Sequence, residues 1–175
     1  DLEDPDALSD ALYETAAPAP VATPIRPKGS RRQITRQAAK ALHPEAQHLP
    51  LPEQAPYGAV LVNQESCTLC LSCVSLCPSG ALGDNPDLPQ LRFQEDACLQ
   101  CGICVTICPE DAITLQPQLD LSDAALTQRV QNEEEPFACV ECGALFGVRS
   151  TVERIIEKLA GTHPMFATSQ QARMI

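Results

Sequence analysis

The apolar positions of this 175-residue chain predict few regular elements, and most of these are short. The segments 59–62 and 112–115 are aliphatic runs of strand length, each close to turn-forming residues. We expect these two strands to pair and to close one folded unit that contains everything between them.

A helix is predicted near the end of the chain, over about 151 to 160. Its apolar stripe has helical spacing and consists of Val152, Ile155, Ile156 and Leu159. Ser150 and Glu153 have the spacing of a capping box at its start, and Gly161 follows the stripe as a stop signal. We expect a loose tail after it, over 162–175.

Residues 1–56 predict an extended arm with two short helical pieces. They contain nine of the sixteen prolines and no cysteine. Proline fixes φ and lacks the backbone N–H, so proline-alternating stretches such as 17–20 and 49–52 are expected in neither a helix nor a sheet ladder. The first helical piece is acidic, with Leu8 and Leu12 on one face.

The second helical piece of the arm is basic. The segment 26–44 holds six Lys or Arg and no acid, Ser30 and Gln33 are spaced as a capping box, and His43 precedes a proline that ends the helix. A basic segment raises the question of nucleic acid, but the chain has 23 Asp+Glu against 12 Lys+Arg and only six aromatic residues to stack on bases. We therefore expect this helix to dock an acidic partner or the acidic part of the arm, with no nucleic acid bound.

The overall patterning excludes several functional classes. No apolar run approaches the roughly 18 residues that cross a bilayer, and the first ten residues lack the regions of an export signal, so we expect no membrane insertion and a cytoplasmic location. The absence of an initiator Met before Asp1 suggests a processed product or a fragment. Since the chain shows no phosphate-binding loop, dinucleotide fingerprint or nucleophile with a base in motif spacing, we expect it not to be an enzyme by itself.

Ten cysteines supply the candidate chemistry, and eight of them form two identical runs. The runs are Cys67-x2-Cys70-x2-Cys73-x3-Cys77-Pro78 and Cys98-x2-Cys101-x2-Cys104-x3-Cys108-Pro109, displaced by a constant 31 residues. An internal repeat of this kind implies two similar halves related by a pseudo-two-fold axis. Zinc ribbons use two separate cysteine pairs and need no third cysteine three residues further on. A disulfide scaffold does not require such regular spacing either. The spacing therefore favours iron–sulfur clusters.

Three cysteines on one tight loop can hold three corners of an iron–sulfur cube, and a remote cysteine must supply the fourth. Residues 59–116 resemble a bacterial-type ferredoxin with two 4Fe-4S clusters, since both motifs match at every cysteine and at the proline. The resemblance implies an α+β, ferredoxin-like dicluster fold and one-electron transfer. In two-cluster ferredoxins the last cysteine of a run binds the other cluster. This rule assigns Cys67, Cys70, Cys73 and Cys108 to cluster I, and Cys98, Cys101, Cys104 and Cys77 to cluster II.

A wider resemblance covers more of the chain. The segments 67–73, 80–86 and 134–151 are similar to the C-terminal part of large bacterial ferredoxin-type proteins, often associated with formate dehydrogenases of the molybdenum or tungsten type. In that family a second CxxC pair follows the terminal helix, and this chain ends at 172–175, about where that pair would begin. The resemblance implies a redox enzyme or a larger oxidoreductase complex as the partner.

The remaining pair, Cys139 and Cys142, lies before Gly143 and resembles half of a zinc knuckle. Two thiolates do not complete a tetrahedral site. The missing ligands could be His163 with another group, a further cysteine pair or a partner chain; a third iron–sulfur site and a pair without metal stay open. The other two histidines, His43 and His48, are expected only to be solvated.

These features divide the chain into four parts: an arm at 1–56, a dicluster unit at 57–117, an acidic connector at 118–136, and a CxxC knuckle with helix and tail at 137–175. The function they predict is single-electron transfer through two 4Fe-4S clusters to or from a redox enzyme. Two alternatives are an iron–sulfur subunit with a structural docking role and, with less support, an iron–sulfur sensor.

Overall fold

A computed structural model describes residues 4–13, 24–139 and 141–162. The chain divides into two compact units, Asp1–Glu45 and Ala46–Ile175. Within the described parts, no helix combines the length and the apolar run required to cross a bilayer.

The first unit contains helices α1 (Pro5–Tyr13) and α2 (Arg31–Leu42). The predicted capping box of α2 is confirmed: the Ser30 hydroxyl accepts from the Gln33 amide, and the Gln33 side chain accepts from the Ser30 amide at 2.8 Å. The side chains of Leu8 and Leu12 in α1 lie outside the described residues, as do the loose tail after 162 and the stretch 17–20.

In its described residues, the second unit mixes short helices with three small sheets. Its elements are β1 (His48–Pro50), β2 (Gly58–Val62), α3 (Ser72–Ser75), β3 (Leu82–Gly83), β4 (Gln90–Phe93), α4 (Ile103–Ile107), β5 (Ile113–Asp120), β6 (Arg129–Glu133), β7 (Pro136–Ala138), β8 (Leu145–Val148) and α5 (Arg149–Thr162), with 3-10 turns at Glu95–Ala97 and Asp123–Leu126. The strand orders are β1-β5-β2, β3-β4-β6 and β7-β8, and every pairing is antiparallel.

The predicted pairing of the first and last strands of the repeat is confirmed. Strand β2 pairs with β5, with Val62 opposite Ile113, while β3 pairs with β4, with Leu82 opposite Phe93. The helices α3 and α4 occupy equivalent places in the two halves. The second unit is thus an α+β arrangement, with a ferredoxin-like order of strands and helices in its repeat.

The arm contributes a strand, which corrects the expectation for 49–52. In β1, Leu49 lies opposite Leu119, and Pro50 lies opposite Gln118. Strand β1 is at an edge of its sheet, with β5 on one side only. No second strand therefore needs the N–H that Pro50 lacks. The sequence rule against proline in a ladder does not hold at an edge.

The start of α5 also differs from the prediction. The helix begins at Arg149, and Ser150 lies inside its first turn. The carboxylate of Glu134 accepts from the Ser150 amide at 3.3 Å and from its hydroxyl. Glu153 instead pairs with Arg149 at 3.4 Å, and the helix continues through Gly161. A carboxylate from the connector therefore replaces the predicted capping box, in the place where the helix dipole favours negative charge.

The core of the second unit is small and lies between the two cysteine runs. Its largest fully buried side chains are Phe93, Leu91 and Leu121. Cys73, Cys98 and Cys104 are themselves part of the buried cluster. The apolar core of this unit is therefore small, and cysteines make up part of it.

Candidate metal centres

The eight repeat cysteines surround two cavities, four at each. One cavity is lined by Cys67, Cys70, Cys73 and Cys108. The other is lined by Cys77, Cys98, Cys101 and Cys104. Each cavity combines three cysteines of one run with the last cysteine of the other, so the structure brings together the two sets that the sequence analysis assigned.

The cysteine loops have the same backbone conformation in both halves. Leu69 and Leu71 have φ of 50° and 56°, and their equivalents 31 residues on, Gln100 and Gly102, have φ of 55° and 79°. Left-handed residues on either side of a cysteine let successive amides form a concave surface that suits an anionic group. Leucine rarely adopts this conformation by itself. The closure of the loop therefore imposes it, against the preference of the residue type.

Backbone amides point at the sulfurs of both cavities. The Leu82 amide donates to Cys77 Sγ at 3.5 Å, and the Ala112 amide donates to Cys108 Sγ at 3.3 Å. In each case the donor follows the Cys-Pro turn on the return segment. At Cys77 the contact stabilises thiolate over thiol.

Gln100 is a site residue that sequence reasoning missed. Its amide and its Nε2 both donate to Cys98 Sγ, at 3.5 and 3.4 Å, and Nε2 also donates to the Ala59 carbonyl at 3.1 Å. Its Oε1 is a buried polar atom without a hydrogen-bond partner among the described residues. Only its place between two cysteines marks it in the sequence.

The electrostatics of the cavities call for a cation. Burial, together with the neighbouring sulfurs of Cys67, Cys70 and Cys104, raises the pKa of Cys73 to about 12. Burial likewise raises the pKa of Cys104 to about 11. Thiols of this kind are protonated at neutral pH unless positive charge binds them.

Cys77 differs from these two. Burial acts to raise its pKa, but the amides and hydroxyl around it, led by the Leu82 amide, lower the pKa overall.

The donor set fits an iron–sulfur cluster better than a single ion. Within the described ranges, no group of three or more His, Cys, Asp or Glu side chains is placed to hold one metal ion. Four cysteines nevertheless line each cavity, and cysteine thiolates are the usual ligands of Fe–S clusters.

Cys139 and Cys142 lie together in the turn of the β7–β8 hairpin. The Cys139 amide donates to the Ala144 carbonyl and the Gly143 amide donates to the Cys139 carbonyl, both at 2.8 Å. Gly143 has a φ of 71°, as the turn requires. The backbone amides of Cys142 and Glu141 lower the pKa of Cys139. His163, a candidate third ligand, lies outside the described residues.

The two described histidines have different surroundings. The His43 amide closes the end of α2 by donating to the Ala39 carbonyl at 2.9 Å. His48 Nε2 lies 3.6 Å from the buried carboxylate of Asp120, so His48 is more than a solvated side chain.

Comparison with known families agrees with the chemistry of the cavities. Residues 51–113 match the family described as 4Fe-4S dicluster domain. No significant match is found among curated proteins. The chain therefore contains a 4Fe-4S ferredoxin-type domain, and this domain supports iron–sulfur electron transfer in general.

Proposed function

We propose that the chain is an electron carrier that holds two 4Fe-4S clusters and passes single electrons to or from a redox enzyme. The observation that carries the proposal is the pair of matching cavities, each with four cysteines from both runs. Cluster I would take Cys67, Cys70, Cys73 and Cys108, and cluster II would take Cys98, Cys101, Cys104 and Cys77. When bound, clusters of this type accept and release one electron at a time.

The protein itself supplies ligands, shielding and charge. The Leu82 and Ala112 amides and the Gln100 side chain donate to cysteine sulfurs, which favours an electron-rich centre. The apolar residues Leu91 and Phe93 are almost fully buried and keep water away from the space between the cavities. One cysteine of each set, Cys70 or Cys101, is exposed and gives a short route to the surface.

The proposed partner is an oxidoreductase, with the formate dehydrogenase type as the first candidate. Support comes from the wider sequence resemblance over 67–73, 80–86 and 134–151. In this proposal the chain works in the cytoplasm, and Cys139 and Cys142 are half of a zinc site that ligands outside the described residues complete.

A docking role is the second candidate. Its support is that elements outside the repeat attach to the cluster domain: β1 pairs with β5, and Arg154 of α5 pairs with Glu110 at 2.8 Å. In this role the clusters would hold a surface together and would not change redox state during turnover.

Anaerobic iron and sulfide analysis with EPR after dithionite reduction tests the proposal. About eight iron and eight sulfide per chain with a spin-coupled signal is the expected result. Zinc without sulfide would reject it. The double variant Cys139→Ser/Cys142→Ser is the matched control, since it should remove any zinc and leave iron and sulfide unchanged.

A further inference from the structure

The two cysteine loops share a backbone but differ in their surfaces. Leu99 and Ile103 in the second loop are 43% and 40% exposed. At the equivalent positions 31 residues earlier, the first loop has Thr68 and Ser72, which are half-buried. The repeat thus provides an internal comparison at these two positions, where the second loop has exposed apolar side chains and the first has half-buried polar ones.

The C-terminal segment covers the first loop. The Thr151 hydroxyl of α5 donates to the Thr68 carbonyl, and Asn132 Nδ2 of β6 donates to the Cys67 carbonyl at 3.2 Å. Val148 of β8 is 2% exposed and belongs to the same buried cluster as Leu69. Three elements outside the repeat therefore pack on the cluster I side.

The second loop has a different neighbourhood. The described side-chain bond from its loop to another part of the chain, from Gln100 Nε2 to the Ala59 carbonyl, stays within the repeat, whereas the first loop accepts bonds from Asn132 and Thr151 outside it. Leu99, Cys101 and Ile103 border the cavity of the second loop together and are all exposed; we call these three residues the apolar rim. Ile107, 39% exposed, lies one helical turn beyond Ile103 on the same face of α4.

We propose that a protein electron-transfer partner docks on the apolar rim, an inference that rests on the proposed function. The partner would present an apolar patch over its own redox centre, surrounded by basic residues. The segment 59–116 contains seven acids and one base, Arg92, in a chain of net charge -11, so a basic surround is the complement. Where the electron would leave the chain, exposed apolar side chains exclude water once the partner has bound. The redox centres of the two proteins can then come close together. One electron leaves the reduced chain and reduces the partner's centre, with no bond or proton transferred.

The repeat itself supplies the test variant. Leu99→Thr/Ile103→Ser gives the second loop the residues that the first loop has at the same positions. The probe is a basic c-type cytochrome, whose haem iron is reduced from Fe(III) to Fe(II). Isothermal titration should show the Kd for this cytochrome rising about tenfold in the variant. Stopped-flow reduction of the haem should slow by a similar factor, because the residues at the middle of an interface supply most of the binding energy.

Three controls keep the result specific to docking. Val130→Thr on β6 replaces a methyl group by a hydroxyl in a side chain that is 47% exposed, and the Kd of this variant should equal that of the wild type. Iron content and the EPR signal should be the same in all variants. Reduction of ferricyanide, which needs no protein interface, should keep its rate. If the double variant fails to hold iron, Leu99→Lys alone replaces it, because a positive charge in the rim should also repel the basic cytochrome.

The groove beside Cys70 is the rival surface. It encloses about 430 Å³ and is lined in part by Leu145 and Phe146 of β8. An unchanged Kd in the rim variant, a loss of affinity in Leu145→Ser instead, or an equal loss of rate with ferricyanide would each overturn the proposal. Absence of iron and sulfide from the wild type would reject the proposed function, which is a different failure.

Discussion

Glu110 Oε2 lies 2.8 Å from Arg154 Nη2, which joins the second Cys-Pro turn to helix α5. Glu110 also lines the cavity of Cys67, Cys70, Cys73 and Cys108, and its Oε1 is 3.1 Å from Lys158 Nζ. One carboxylate thus connects a proposed cluster site to the C-terminal helix.

We expect Glu110→Gln to loosen α5 without removing iron. The side-chain amide of glutamine keeps the shape of the glutamate side chain but lacks the negative charge that Arg154 and Lys158 contact. Hydrogen exchange of the α5 amides should become modestly faster, and added salt should increase the rate in the wild type more than in the variant. The same exchange rate in both proteins at low salt would show that the ion pairs do not hold the helix.

Cys77→Ser should remove the centre formed by Cys98, Cys101 and Cys104, although Cys77 lies in the first run. The reason is that Cys77 lines the second cavity. Iron analysis should fall by about half relative to the wild type, and the spin coupling in the EPR spectrum should disappear.

The counterpart is Cys73→Ser, which should remove the first centre instead. Spectra that show both substitutions affecting the same centre would contradict the crossed arrangement.

Gly58→Ala should destabilise the second unit by about 1–3 kcal/mol, as overpacking does. A Cβ at this position would meet the Gln116 carbonyl oxygen and would lie 2.6 Å from Gln100 Cδ. Denaturant unfolding of the loaded protein measures the change. Thr114→Ala, an exposed position on the neighbouring strand β5, is the control and should have little effect.

Glu134→Ala should fray the start of α5, with a loss of about 1 kcal/mol, the usual effect of removing a helix cap. Glu134 accepts from the Ser150 amide and hydroxyl, while its exposed neighbour Glu135 serves as the matched control. Amide exchange near the start of α5 should increase only in the Glu134 variant. Equal exchange in both variants would mean that other groups cap the helix.

Anaerobic removal of iron with a chelator should unfold the cluster domain. The buried core is small and includes cysteines whose burial opposes ionisation, so the apo form lacks the interactions that hold the two halves together. Circular dichroism should lose its folded signal, and the amides of β2 and β5 should lose exchange protection. Retention of that protection in the apo protein would show that apolar packing alone is sufficient.

The sequence was informative where spacing alone determines the geometry. The two cysteine runs and the strands 59–62 and 112–115 follow from short patterns, and the structure gathers the cysteines in the expected groups. The capping box at Ser30 is also local, since both of its partners lie within one helical turn.

The features that were missed depend on distant parts of the chain. Pro50 is acceptable in β1 only because β5 lies on one side of it, and Ser150 is capped by Glu134 from a preceding connector. The left-handed Leu69 contradicts the preference of its residue type. None of these could be read from a local pattern, because the partner that decides each one is brought near by the tertiary fold.

The crossed grouping of the cysteines also constrains how the protein can mature during synthesis. When Cys67, Cys70 and Cys73 leave the ribosome, the residue that completes their cavity, Cys108, has still to emerge. The second cavity is complete once Cys104 emerges, four residues before Cys108. Both sites therefore become competent almost together at the end of α4, so the nascent chain has no half-length intermediate with a finished centre.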